Sequence, residues 1–160
     1  RIYRSRDVIG SQNGGAVKNV LAIACGIVEG RKLGDNTRAA LVTRGLAEIS
    51  RLGIAKGAHA ETLAGLSGMG DLTLTCNAVQ SRNFSLGVAL GSGQRLEDIL
   101  SERNSVAEGV FTASSVTDLA RRLNVDLPIC SAVDGVLNHG ANIDATINGL
   151  LARPLKAETT

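Results

Sequence analysis

The sequence contains no tryptophan, one tyrosine and two phenylalanines in 160 residues. Aromatic platforms on which bases could stack are therefore missing. A formal net charge of +2 without any basic run gives no electrostatic footprint for nucleic acid. Cysteine is sparse: Cys25, Cys76 and Cys130 form no Cys-x-x-Cys pair and no cluster with His59 or His139. The ligand spacing of a metal site is thus absent, and the thiols read as small buried hydrophobes in a reducing compartment. No apolar run reaches the roughly 20 residues of a membrane span, and no stretch reads as a secretory leader. The expectation is a cytoplasmic protein with no metal, no nucleic-acid partner and no membrane insertion.

Proline occurs only at Pro128 and Pro154, and alternating β-branched runs are rare, so the apolar spacing is helical nearly throughout. Apolar residues make up 44% and charged residues 20%, the balance of a chain able to bury one core. The spacing predicts a first helix from about Gly14 to Val28, apolar all round and hence buried. A second spans about Thr37 to Lys56 after an Asp35 or Asn36 cap, with Leu41, Leu46, Ile49 and Leu52 inward. Arg44, Glu48 and Arg51 then form a solvated face with possible i,i+4 pairing. Further helices are expected over Ala78–Leu90, Leu96–Glu102, Glu108–Leu123 and from Pro128 to near His139. A short one follows from Ile143 to Ala152, and Asn124 suits a left-handed cap. The fold class is all-α, a single helical domain.

Chemistry has three candidate locations. Lys18 lies on the buried first helix, among apolar neighbours where a charge requires a partner. It is either a general acid/base of lowered pKa or a lysine whose head snorkels to water. Asp71 follows Gly68-Met69-Gly70, where backbone can approach a ligand closely. It can pair with Lys18 or cap the next turn. Ser81, Arg82 and Asn83 open a helix, and their hydroxyl, guanidinium and amide beside free N–H groups suit an anion. No Gly-x-Gly-x-x-Gly fingerprint follows a strand, so a complete dinucleotide site is not expected within this sequence.

Five strings in this order resemble the C-terminal domain of bacterial-type NAD(P)-dependent glycerol-3-phosphate dehydrogenases. They are IGSQNGGAVKNVLAIACGIVEG (residues 9–30), LGDNTRAALVTRGLAEISRLG (33–53), GLSGMGDLTLTC (65–76), QSRNFSLG (80–87) and VAEGVFTA (106–113). The resemblance implies a helical bundle like the C-terminal domain of 6-phosphogluconate dehydrogenase. It also implies a short extended stub at residues 1–8 left from a missing Rossmann domain, and a catalytic domain over 9–160. The abrupt start at Arg1-Ile2-Tyr3-Arg4 agrees with a piece of a longer protein.

The same resemblance implies that Lys18 and Asp71 are catalytic and contact the substrate. Ser81, Arg82 and Asn83 would bind the substrate phosphate, and Arg82, Val106 and Glu108 would approach an NAD or NADP cofactor. Asn19 and Thr75 stand inside the matching motifs as further contact groups. The implied reaction is the reversible reduction of dihydroxyacetone phosphate to sn-glycerol 3-phosphate, a glycerophospholipid precursor. The implied partners are these substrates, the chain's own Rossmann domain and a second copy in a homodimer. Phe84-Ser85 stands where many relatives carry a basic residue, and Arg31-Lys32 where they are small or apolar. Two other readings fit the pattern: a dehydrogenase acting on another hydroxy acid, and a non-catalytic dimerisation module. The Arg82-Asn83 pair argues against the first, and a buried Lys18 against the second.

Overall fold

The structure, a computed structural model, describes residues 5–78, 80–102 and 107–154; the side chains of Asn13, Ala107 and Glu108 lie outside that description. Its centre is α1 (Val8–Gly30). Every apolar residue from Val17 to Val28 is buried, as a helix hydrophobic on all sides requires. The helix starts six residues before the expected Gly14 because Asp7 caps it. One carboxylate oxygen accepts the Gly10 N–H at 2.8 Å, and the other accepts the His59 N–H at 2.8 Å. These two hydrogen bonds hold the Asp7 carboxyl below its usual range. Asp7 and Val8, read from the sequence as the end of a stub, thus belong to the helix and its cap.

The second helix, α2 (Asp35–Ala55), begins two residues early, with Gly34 in the capping position and no side-chain cap. Gly34 has φ 88°, and Asp35 lies inside the first turn, where it pairs with Arg38 at 2.6 Å. Ile49 and Leu52 enter the core, while Leu41 and Leu46 pack against its edge. Gly45 lets this helix close on α1, since a Cβ there would meet the Leu21 side chain at 2.8 Å.

A short helix α3 (Ala60–Ala64), a π-helical turn (Leu66–Gly70) and α4 (Asp71–Asn77) fill the stretch that the sequence shows only as a glycine cluster. The helix expected from Ala78 starts later, as α5 (Arg82–Gly91), because Ala78 is extended and Ser81 is the cap. Then come α6 (Leu96–Glu102), α7 (Ala107–Arg122), α8 (Pro128–Asn138) and α9 (Ile143–Leu151), near their expected bounds. Asn124 has φ 54°, the left-handed cap foreseen. Among the described residues there is no strand, and no helix is long and apolar enough to cross a membrane.

The charged face expected on α2 needs correction at Glu48, which is 1% exposed. Pro128, at the first position of α8, has no N–H, and Leu127 supplies no cap. Glu48 therefore accepts the next two orphan donors, Ile129 N–H at 2.6 Å and Cys130 N–H at 3.1 Å. Two unsatisfied donors at a buried helix start draw the carboxylate inward. Arg51 does stay exposed, its Nε donating to the Asp126 carbonyl at 3.1 Å.

Helices α1 and α5 touch through backbone. A Cβ on Gly26 would meet the Phe84 carbonyl and the Gly87 Cα, and one on Gly87 the Ile23 carbonyl and the Gly26 Cα. Gly30 and Gly91 face each other in the same way one turn later. Both helices advance together, so they run parallel. The resulting register sets Asn83, one turn before Gly87, level with Ala22.

Candidate functional site

Lys18 stands one turn before Ala22 on α1. Its Nζ donates to the Asp71 Oδ2 in a hydrogen-bonded ion pair. Neither side chain is sealed off, with exposures of 22% and 35%. Of the two readings open for Asp71, pairing prevails: no side-chain cap bond starts α4, and the carboxylate faces α1 instead. The π-helical turn makes this possible. Gly68 packs so tightly on the Leu63 backbone that no Cβ fits, and Gly14 of α1 lies against the Ser67 carbonyl. π turns of this kind recur where a backbone is re-aimed at a site.

Two helical turns further, the same face of α1 presents Cys25 to Cys76 of α4. All three cysteines are buried free thiols. The hydrogen bond with Cys25, together with burial, pushes the Cys76 thiol far above its ordinary range. Thr75 spends its hydroxyl proton on the Asp71 carbonyl at 2.7 Å, which braces the residue carrying the carboxylate. Asn19 is half-buried beside Lys18.

At the start of α5, Ser81 accepts the Phe84 N–H at 3.4 Å, and its own hydroxyl proton is left to donate. Arg82 is exposed. Among the described residues its guanidinium has no carboxylate partner, unlike Arg38, Arg95 or Arg121. Asn83 is half-buried, its amide end close to Gly109 of α7. The parallel register places this helix start about 6 Å along α1 from Lys18, one turn at 1.5 Å per residue. The positive end of the α5 dipole thus faces the level of the Lys18–Asp71 pair.

Not every expected neighbour meets. Lys18, Asp71 and Arg82 were expected on one concave surface, but the groove beside Asp71 is lined by Ser11, Leu66, Ser67, Gly70 and Leu74, and neither Lys18 nor Arg82 is part of that lining. Val106 lies outside the described residues, as does the Glu108 side chain. Phe84 is a core residue, 4% exposed, so its position presents no group to an anion. Arg31 is more than a surface change: its guanidinium donates to the Gly91 carbonyl at 2.8 Å and pairs with Asp144 at 2.9 Å. It joins α1, α5 and α9. Among the described residues no group of three His, Cys, Asp or Glu side chains could hold a metal ion.

Sequence reasoning missed the Gly26–Gly87 and Gly30–Gly91 contacts that set the level of Arg82 and Asn83. The signal was present as two four-residue glycine spacings, Gly26 to Gly30 and Gly87 to Gly91, the pattern that lets helix backbones approach.

Residues 7–148 match the family described as NAD-dependent glycerol-3-phosphate dehydrogenase C-terminus. The chain is 62% identical over 158 residues to a glycerol-3-phosphate dehydrogenase [NAD(P)+] of Rhodospirillum rubrum, covering 99% of this chain and 45% of that protein. It is 57% identical to the protein of the same name from Caulobacter vibrioides, covering 99% and 48%. The crystal structure of glycerol-3-phosphate dehydrogenase from Coxiella burnetii superposes with a TM-score of 0.90 at 42% identity, covering 96% of this chain and 47% of that one. The chain thus spans about half the length of the relatives it matches.

Proposed function

Because the chain belongs to the family of NAD-dependent glycerol-3-phosphate dehydrogenase C-termini, we propose that it forms the substrate-binding and catalytic half of a two-domain enzyme. That enzyme reduces dihydroxyacetone phosphate reversibly to sn-glycerol 3-phosphate, with NADH or NADPH as the reductant. The observation that carries this reading is the Lys18–Asp71 pair standing one helical turn from the start of α5.

The substrate phosphate sits at the α5 N-terminus, where free N–H groups and the helix dipole favour an anion. The Ser81 hydroxyl and the Asn83 amide donate to its oxygens, and the Arg82 guanidinium, without a carboxylate partner among the described residues, adds a fork that fits phosphate. The three-carbon chain then lies along α1 with its carbonyl at Lys18. An ammonium has three donors; one is held by Asp71, and another can point at the carbonyl oxygen.

The nicotinamide cofactor, when bound, supplies the hydride to the carbonyl carbon. Arg82, exposed and without an acidic partner among the described residues, suits an anionic group of that cofactor. Val106 and Glu108 would join it. As negative charge develops on the oxygen, Lys18 transfers a proton to it, the kind of step worth about 10²–10⁴-fold in rate. Asp71 fixes the direction of the Nζ donors before the reaction, so no reorganisation is required at that moment. The partly exposed lysine then regains a proton from water.

The reading extends to the partners. A Rossmann domain preceding the chain would bring the dinucleotide site, residues 1–6 would lead from it, and the helical domain would begin at Asp7, the cap of α1. A homodimer in the cytoplasm, where Cys25, Cys76 and Cys130 keep their thiols, completes it. A non-catalytic module has no use for a carboxylate-paired lysine on its central helix.

The test is Lys18→Met in the full-length enzyme. It removes the proton donor and roughly keeps the volume. Turnover with dihydroxyacetone phosphate should fall at least 100-fold while NADH binding, followed by fluorescence, is retained. Near-normal turnover would leave Lys18 a structural residue and end the acid/base assignment.

A further inference from the structure

Asn83 and Gly109 share one small volume. A Cβ on Gly109 would lie 2.5 Å from the Asn83 Oδ1 and 3.4 Å from the Ile23 Cδ1. The first distance is a collision, the second an ordinary tight contact. Gly109 is buried in the first turns of α7 and helical, with no positive φ to demand glycine. Its lack of a side chain is therefore a matter of space alone.

The backbone there has little freedom to retreat. The Asn138 Nδ2 of α8 donates to the Val110 carbonyl at 3.2 Å and to the Asp134 Oδ1 at 2.7 Å. Asp134, 6% exposed, also accepts the Thr117 hydroxyl at 2.9 Å. The start of α7 is thus tied to α8 on one side and rests against Ile23 of α1 on the other. An added methyl group has one yielding neighbour, the rotatable Asn83 amide.

We propose that Gly109 is a positioning residue for the phosphate end of the substrate: its missing side chain leaves the space in which the Asn83 carboxamide is held toward the α5 N-terminus. The inference rests on the assignment of Asn83 to the phosphate. Gly109 touches no substrate; it acts through Asn83.

The experiment compares Gly109→Ala, Asn83→Ala and the double variant in the full-length enzyme, reading kcat and KM for dihydroxyacetone phosphate, KM for NADH, and Tm. A hydrogen bond to a charged acceptor is worth enough that losing it should raise the substrate KM about 10-fold or more. The expected result is such a rise in Gly109→Ala, an unchanged KM for NADH, and a double variant no worse than Asn83→Ala alone, the signature of coupled residues. If Gly109→Ala folds poorly, the double variant should recover the Tm, since the crowding amide is gone.

Three results overturn the proposal while the phosphate reading stands: a normal substrate KM in Gly109→Ala, effects that multiply fully in the double variant, or a loss confined to NADH. A normal substrate KM in Asn83→Ala instead removes Asn83 from the phosphate site, and the role of Gly109 with it.

Discussion

Gly26 of α1 and Gly87 of α5 meet Cα to backbone, so closely that a methyl group on either would enter the other helix. This contact brings two stretches 61 residues apart in sequence together. It sets the height of the α5 start against Lys18, and so the separation between the proposed proton donor and the proposed anion-binding end. The parallel direction matters equally, because an antiparallel α5 would turn its negative end toward that level.

Gly26→Ala and Gly87→Ala should each destabilise the chain by about 1–3 kcal/mol, the cost of overpacking where backbone cannot yield. For a domain of this size that corresponds to a Tm lower by roughly 2–10 °C. Gly15→Ala is the control: it lies on the same helix with nothing within 4 Å of its Cβ position, so the better helix propensity of alanine should leave Tm equal or higher. Equal Tm values for all three variants would mean that α1 and α5 are not in contact.

Glu48 predicts a pH effect of unusual sign for a carboxylate. Burial pushes its pKa up, against the two backbone hydrogen bonds and Arg51, which pull it down. A group whose folded pKa lies above its unfolded one contributes stability below the unfolded value and loses it as pH rises through the folded value. Acidification from neutrality toward the ordinary value of 4.5 should therefore stabilise the chain through Glu48. Asp7 has the opposite sign, but its loss falls below its ordinary 3.8, outside that window. Glu48→Gln should flatten the urea-unfolding free energy across the window. Glu48→Ala should cost about 1–3 kcal/mol for each N–H left unsatisfied. Should Glu48→Gln keep the wild-type pH slope, another group is responsible for it.

The sequence displayed what depends on neighbours along the chain. Lys18 stood out as a lone cation among apolar residues, Asp71 through its glycine frame, and Ser81 to Asn83 as a helix start. The helix bounds from Leu96 onward follow from caps such as Pro128 and Asn124. What escaped depends on partners distant in sequence. Glu48 looks solvated on its own helix because the donors that draw it inward are 81 and 82 residues away. The start of α1 hinges on Asp7 reaching the His59 N–H. The π-helical turn arises where Gly68 settles on the Leu63 backbone, a contact that no hydrophobic period encodes.

The isolated chain should bind NADH or NADPH no better than weakly and should not turn over dihydroxyacetone phosphate. It has no strand-turn-helix glycine fingerprint, and no strand among its described residues, so the backbone cradle for a pyrophosphate is missing. Titration calorimetry with either cofactor should show no saturable heat in the low micromolar range. A micromolar dissociation constant would place a dinucleotide site within these helices and contradict the two-domain reading.

Arg82 and Lys18 should fail in different ways when changed in the full-length enzyme. On the proposed assignment the phosphate would be bound equally in the ground and transition states, so Arg82→Ala would remove binding that is largely uniform, which appears mainly in KM. Some turnover is lost too, because a poorly anchored substrate presents its carbonyl less often to Lys18. Lys18→Met removes an interaction that strengthens as charge develops on the oxygen, and its loss falls on kcat. Unphosphorylated dihydroxyacetone separates the two. It has no group for Arg82 to hold, so Arg82→Ala should leave its kcat/KM within a few-fold of wild type while reducing that for the phosphate ester by about 10-fold or more. Lys18→Met should depress both substrates alike, since both carry the carbonyl. Equal losses on both substrates in Arg82→Ala would move Arg82 from the phosphate to the cofactor, its other expected contact.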